Sequence, residues 1–322
     1  MTEAPNRIPA RQLGSSGPSA GAIGLGCMGM SWAYGSADEA QSIDVIHRAV
    51  ELGVTLIDTA DAYGPFSNEQ LVGRALADRR GEVVLATKVG LVVDDPATFA
   101  MHRDGTPEHV REAIDASLAR LQTDFVDLYQ LHRVDPAVPV EETWSTMAEL
   151  VTAGKARALG LSEVTTDELS RAHAIHPVTS VQSELSLWTR DALAEVLPWC
   201  EDNDVAFIPF APLGRGYLTG TITEASFGER DFRARNPRFT QEALEANLAI
   251  VERVRDIARR HGATAAQVAL AWTLAQGAHV LPIPGTTKVS RVEENAGAAR
   301  LRLSDTDLAE LDAMPRAIGE RY

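Results

Sequence analysis

Short runs of apolar, largely β-branched residues recur along the chain, and each is followed by a loop and then by a stretch with apolar residues at i, i+3 and i+4. The eight runs fall at 22–26, 54–58, 83–88, 125–131, 156–161, 179–182, 205–209 and 279–283. The helical stretches fall near 38–51, 68–79, 107–121, 140–153, 166–175, 191–202, 240–261 with 264–276, and 290–298. Such alternation demands parallel strands joined by right-handed crossovers. An open doubly wound sheet and a closed barrel both satisfy it. The count of eight, the absence of a linker between halves, and polar residues at the C-terminal ends of several different strands favour the barrel. The expectation is an α/β fold of the (β/α)8 TIM barrel type. It forms a single domain over 1–322, with a core at about 22–300 and long loops on the C-terminal face. A hairpin-like segment at 7–20 would cap the bottom. Thr106 reads as the N-cap before an N1 proline, Pro107, and Gly53 closes the preceding helix.

A formal net charge of −15 repels phosphate backbones and anionic lipid, which argues against nucleic acid and membranes as partners. No apolar run approaches the roughly 18 residues of a membrane span, and the N-terminus lacks the apolar core of a signal peptide. Two cysteines, Cys27 and Cys200, are too few for a disulfide framework, so the simplest expectation is a cytoplasmic protein. His173 and His176 share a helical stretch without an acidic third ligand, so no metal site is expected. Neither a G-x-S-x-G elbow nor a P-loop is present.

Gly24-Leu-Gly26-Cys-Met-Gly29 formally matches the dinucleotide fingerprint G-x-G-x-x-G. That fingerprint needs a helix immediately after it, with its N-terminus facing the pyrophosphate. Here an irregular stretch, Met30-Ser-Trp-Ala-Tyr-Gly35, follows instead. Glycines permitting a tight exit from the strand explain the motif better.

Asp58 ends one strand run, Lys88 the next and His132 the one after, while Tyr63 stands one short loop beyond Asp58. Each alone reads as an ordinary capping carboxylate, solvated lysine, packing histidine or half-buried ring. Consecutive strands of one barrel would deliver all of them to the same rim. A phenol has a solution pKa near 10, and a neighbouring ammonium would lower it. Asp58 would hold Lys88 charged and in place, and His132 could orient a carbonyl oxygen. Proton donation of this kind needs a hydride source, which a nicotinamide cofactor would supply.

These residues resemble the aldo-keto reductase superfamily, and the resemblance covers almost the whole chain. It rests on Gly24-Leu-Gly-Cys-Met-Gly-Met30, Asp58-Thr-Ala-Asp-Ala-Tyr63-Gly, Ala86-Thr-Lys88, Asp127-Leu-Tyr-Gln-Leu-His132 and Gly154-Lys-Ala-Arg-Ala-Leu-Gly-Leu-Ser162. Further matches are Phe210-Ala-Pro-Leu-Gly-Arg-Gly-Tyr-Leu-Thr-Gly220, and Pro282-Ile-Pro-Gly285 through Arg291-Val-Glu-Glu-Asn295. The resemblance implies a carbonyl reductase that prefers NADPH/NADP+, with NADH as the alternative, acting on a small-molecule aldehyde or ketone. It implies the catalytic tetrad Asp58, Tyr63, Lys88 and His132. Cys27 and Met28 fall among the implied cofactor contacts. Ser162 and Gln182 would hold the carboxamide, although Glu163 stands where an Asn usually follows the serine. Phe210 would stack on the nicotinamide. Leu213, Gly214, Arg215 and Gly216 resemble the pyrophosphate strap. Gly285, Thr286, Thr287, Lys288, Arg291, Glu294 and Asn295 resemble the adenosine end. Many members carry Lys where Gly285 stands, so recognition of a 2′-phosphate shifts to Lys288, Arg291 and the N-terminus of the last helix, capped by Thr286 or Thr287. A regulatory module of the potassium-channel β-subunit type shares this barrel and is the alternative function.

Connections at 28–37, 90–106 and 211–239 are long for a compact domain and point to function or mobility. The last carries Arg215, Arg230, Arg233, Arg235 and Arg238, which fits either a solvated loop or a cofactor-gripping lid. Met30, Trp32, Phe66, Met101 and Trp188 lie on or beside these loops and could form an apolar substrate mouth or simply pack the rim.

Overall fold

The computed structural model describes residues 7–35, 37–228 and 231–321. An antiparallel hairpin of β1 (Ala10–Gln12) and β2 (Ser19–Gly21) comes first. The chain then runs through β3 (Leu25–Gly26), α1 (Glu39–Glu51), β4 (Leu56–Asp58), α2 (Ser67–Leu76), β5 (Val84–Val89), β6 (Leu91–Asp95), β7 (Ala100–Arg103) and α3 (Pro107–Leu121). Next come β8 (Leu128–Leu131), α4 (Val140–Thr152), β9 (Leu159–Ser162), α5 (Thr166–His173), β10 (Ser180–Glu184), α6 (Val196–Asp202) and β11 (Ala206–Phe210). Helices α7 (Gln241–Ala246), α8 (Leu248–His261), α9 (Ala265–Ala275), α10 (Val289–Gly297) and α11 (Asp305–Asp312) complete the order.

Seven strands form one parallel sheet in the order β3-β4-β5-β8-β9-β10-β11. The segment 279–285 closes it, bridging Phe207 to Val280 on one side and Gly26 to Gly285 on the other. Leu281 and Ile283 donate their N–H groups to Phe207 and Pro209 at 2.9 and 3.0 Å, and Gly24 donates to Pro282 at 2.9 Å. The eighth strand expected at 279–283 is thus in place, but as bridges rather than a continuous ladder. Pro282 and Pro284 have no N–H to donate, so only alternate rungs form. The (β/α)8 barrel follows.

Side chains along a strand alternate between its two faces. Leu56, Val84, Ala86, Leu128, Ala158, Ala206, Ile208, Leu281 and Ile283 form one buried cluster, the inside of the barrel. Leu13 and Ala20 of the hairpin join that cluster, so the N-terminal segment does plug the barrel floor. The opposite parity, including Ile57, Leu85, Tyr129, Leu159, Val181 and Phe207, packs against the helices. Moving up each strand in steps of two, the inward positions turn polar: Asp58, Lys88, Gln130 and His132, Ser162, Gln182 and Glu184. Gly160 is inward as well, because a Cβ there would stand 2.5 Å from the Ser180 hydroxyl and 3.0 Å from Gln130.

Several local expectations hold. Thr106 accepts from the His109 N–H ahead of α3, with Pro107 at N1, and Gly53 closes α1 at φ +83°. Others need correction. The connection at 90–106 is a β6–β7 hairpin, and 191–202 opens as a 3-10 turn (Asp191–Leu193) before α6. The stretch at 240–261 breaks at Asn247, whose side chain is spent on the chain's C-terminal tail. Neither Thr286 nor Thr287 caps the last barrel helix. Lys288 is the N-cap of α10, and the Thr286 hydroxyl instead accepts from the Lys288 N–H at 3.1 Å. Among the described residues no helix is long and apolar enough to cross a membrane.

Candidate functional site

Asp58, Lys88 and His132 converge as barrel parity requires, and the short turn after β4 brings Tyr63 beside them. Lys88, fully buried, donates from Nζ to Asp58 Oδ2 at 2.6 Å, to the Thr59 carbonyl at 2.8 Å and to the Tyr63 hydroxyl at 3.3 Å. Asp58 Oδ1 accepts from Gln182 at 2.8 Å and from Gln130 at 3.3 Å. The His132 ring stands edge-on to Tyr63 with centroids 5.7 Å apart, and its Nδ1 is buried without a hydrogen-bond partner.

Burial is the largest influence on each proton here. It pulls the Lys88 ammonium down, but Asp58 and Tyr63 together outweigh it and raise that group above its ordinary value. It pushes the Tyr63 phenol up, and the opposing pull of Lys88 does not fully compensate, so the phenol titrates above 10. A net lowering by the ammonium is therefore not what results. Burial, with the charges of Lys88 and Arg133, holds His132 well below the usual imidazole range and keeps it neutral.

The cofactor candidates divide into two groups. Near the tetrad they already bond within the protein. Ser162 accepts from Arg133 at 3.0 Å, Gln182 donates to Asp58, and half-buried Phe210 lies 5.6 Å from the Arg321 guanidinium. Gly214, Arg215 and Gly216 form a turn with φ of +56°, +55° and +98°. The Arg215 guanidinium pairs with Glu184 at 3.0 Å. Leu213 and Met28 are half-buried, while the Cys27 thiol is wholly buried in the core and its carbonyl is held by Asn68. At the other end, Lys288 and Arg291 are exposed, and neither side chain makes a hydrogen bond or ion pair among the described residues. Gly285 is exposed, Thr286, Thr287 and Glu294 are half-buried, and Asn295 is buried.

The five apolar mouth candidates differ in their surroundings. Trp188 is 3% exposed and stacks on Tyr217 at 4.5 Å beneath the 214–219 turn, where a Cβ on Gly214 would touch it. Met30 is buried in the core. Phe66 lies exposed over Arg120 at 4.5 Å, and Met101 is exposed on β7. Trp32 meets Phe99 at 5.3 Å, which in turn meets Phe232 at 6.3 Å. The described arginines of 211–239 each bond within the protein, Arg235 from an exposed position. Arg233 pairs with Asp231 at 2.6 Å, Arg235 donates to the Thr98 carbonyl at 3.4 Å, and Arg238 donates to Thr189 at 2.6 Å. Arg230 lies outside the described residues.

Sequence reasoning missed Gln130, Arg133, Glu184 and Arg321. Gln130 and Glu184 carry a readable signal, since each lies two residues from a candidate on the same strand and shares its inward parity. Arg321, near the end of the tail, carries none.

A sequence profile described as the aldo/keto reductase family matches residues 22–316. A probable aldo-keto reductase 1 from Glycine max is 43% identical over 100% of this chain and 93% of its own length. A glycerol dehydrogenase from Gluconobacter oxydans has a structure matching 94% of each chain at TM-score 0.86 and 29% identity. An aldo/keto reductase from Klebsiella pneumoniae, solved with NADP and acetate, matches 94% of each chain at TM-score 0.72 and 27% identity. With a family match across the barrel and a relative this similar over its full length, the chain belongs to the aldo/keto reductase family.

Proposed function

We propose that this protein is an NADP(H)-dependent oxidoreductase that reduces a small aldehyde or ketone to an alcohol, with Tyr63 as general acid. One observation carries the reading: the Lys88 ammonium, anchored on Asp58 at 2.6 Å, donates to the Tyr63 oxygen at 3.3 Å. A phenol oxygen that accepts from Lys88 keeps its own O–H free to donate to a carbonyl.

The residues present fit an anionic dinucleotide. The N-cap of α10 makes no side-chain capping bond, and Lys288 and Arg291, two cations without side-chain partners among the described residues, stand at the same place. The positive-φ turn at 214–216 allows close backbone approach, and Ser162, Gln182 and Phe210 line the tetrad end. When bound, the reduced nicotinamide supplies a hydride to the carbonyl carbon. Tyr63 supplies the proton to the carbonyl oxygen, and Lys88 stabilises the phenolate left behind. Neutral His132 offers a ring N–H to orient the carbonyl without competing as an acid. Asp58, fixed by Gln130 and Gln182, holds Lys88 in register.

Tyr63→Phe removes the proton donor and leaves the ring. Its turnover with a panel of aromatic and aliphatic carbonyls should fall by about 10²-fold or more, while NADPH affinity changes little. Unchanged turnover in that variant sinks the assignment.

A further inference from the structure

Residues 318–321 run along the rim of this site. Asn247 exchanges two hydrogen bonds with Ile318, at 2.8 and 2.9 Å. The Gly319 carbonyl accepts from Arg238 at 3.1 Å, and the Arg321 carbonyl accepts from Asn236 at 2.9 Å. This anchoring delivers the Arg321 guanidinium to Glu163 Oε2 at 2.5 Å and to Glu184 Oε2 at 2.7 Å. Glu184 is 2% exposed and also holds Arg215 at 3.0 Å. Glu163 sits in the left-handed region at φ +54°, a conformation Asn adopts more readily than Glu. Its carboxylate contacts, Arg321 and the Glu184 N–H at 2.9 Å, hold it there.

The carboxylates of Glu163 and Glu184 thus meet the guanidiniums of Arg321 and Arg215 at the C-terminal ends of β9, β10 and β11, with Arg133 on Ser162 and buried Arg238 close by. They sit beside Ser162, Gln182 and Phe210, in the same register of the sheet. A nicotinamide ring carries a positive charge when oxidised and none when reduced, so the net charge at this rim discriminates between its two states. Because the groups are mostly buried, solvent screens them poorly.

We propose that Arg321 biases the oxidation-state preference of the bound cofactor by offsetting the negative charge of Glu163 and Glu184. It acts through those carboxylates and touches no reacting atom, which makes it a positioning residue. The inference rests on the nicotinamide reading above. Removing the guanidinium makes the rim one charge more negative, which favours NADP+. Removing the Glu163 charge makes it one charge more positive, which favours NADPH.

The test uses the full chain and titrates NADP+ and NADPH separately by calorimetry. Arg321→Ala should shift the ratio of the two dissociation constants toward NADP+ by on the order of tenfold. That corresponds to about 30 mV for the bound two-electron couple. Glu163→Gln should shift the ratio the opposite way, and Arg321→Lys should restore it to within about threefold of the unaltered protein. Equal losses for both cofactors in Arg321→Ala, or ratios unmoved by both charge-changing variants, overturn the proposal and leave the tail a structural element. Failure of the unaltered protein to bind either cofactor overturns the nicotinamide reading itself, and this inference with it. If Arg321→Ala does not fold, the opposite-signed shift in Glu163→Gln decides alone.

Discussion

His132 is a neutral base buried beside an ammonium and a guanidinium, and that has a consequence for stability. Unfolded, its imidazole takes up a proton near pH 6.5; folded, burial first and then Lys88 and Arg133 hold the pKa well below that. The unfolded chain therefore binds more protons below pH 6.5, and stability is lost as pH falls through that window, by at most about 1.4 kcal/mol per pH unit. His132→Gln cannot take up the proton. Between pH 7 and pH 5 its melting temperature should fall several degrees less than that of the unaltered protein. Parallel profiles would show that His132 is not the group responsible. At this scale much of the site was legible in the sequence. Asp58, Lys88 and His132 each end an apolar run, and barrel geometry turns strand ends into one rim. The same rule, applied two residues earlier or later, finds Gln130 and Glu184. The net direction of the Tyr63 shift was not legible, because burial of the phenol is a property of packing. Nor was Arg321, since nothing in a tail's sequence says which pair of carboxylates it will reach.

Among elements, the hairpin at the floor adds Leu13 and Ala20 to the inside of the barrel. Leu13 is fully buried among inward residues of the barrel strands. Leu13→Ala should cost about 2–5 kcal/mol, the usual range for a cavity in a core that cannot collapse. The loss is at the end opposite the site, so cofactor affinity should hold while the melting temperature drops. Coupled loss of both would mean that the floor and the rim are not mechanically separate. Strand positions were readable because each run is apolar on both parities, inward to the barrel and outward to helices. Breaks were harder. Pro282 and Pro284 thin the closing strand to isolated bridges, although their lack of N–H groups was visible in advance. The split between α7 and α8 was hidden, because Asn247 spends its amide on Ile318, more than 70 residues along. By contrast, α11 carries a capping box, Ser304 with Asp307, that the sequence displays.

For the whole molecule the largest electrostatic fact is the net charge of −15, which any polyanionic cofactor must meet. A 2′-phosphate adds close to two negative charges, so its binding depends on local cations. Gly285 cannot supply one. It bridges Gly26 across the barrel closure, and a Cβ there would stand 3.0 Å from the Gly26 carbonyl. Lys288 and Arg291 remain, exposed and without side-chain partners among the described residues, at the start of a helix whose N-cap makes no side-chain capping bond. Three residues apart, both side chains reach the same end of α10. Charge-assisted contacts contribute roughly 1.5–3 kcal/mol each, so each loss should weaken NADPH at least about tenfold. NADH, lacking the phosphate, should lose far less in Lys288→Ala or Arg291→Ala. Salt gives an independent check, because exposed charges are screened over about 10 Å at 0.1 M ionic strength. Raising ionic strength should therefore erode the NADPH preference of the unaltered protein and leave a double variant nearly flat. Quenching of intrinsic tryptophan fluorescence measures both cofactors. Equal losses for NADPH and NADH, or an unaltered protein that prefers NADH, would place 2′-phosphate discrimination away from α10.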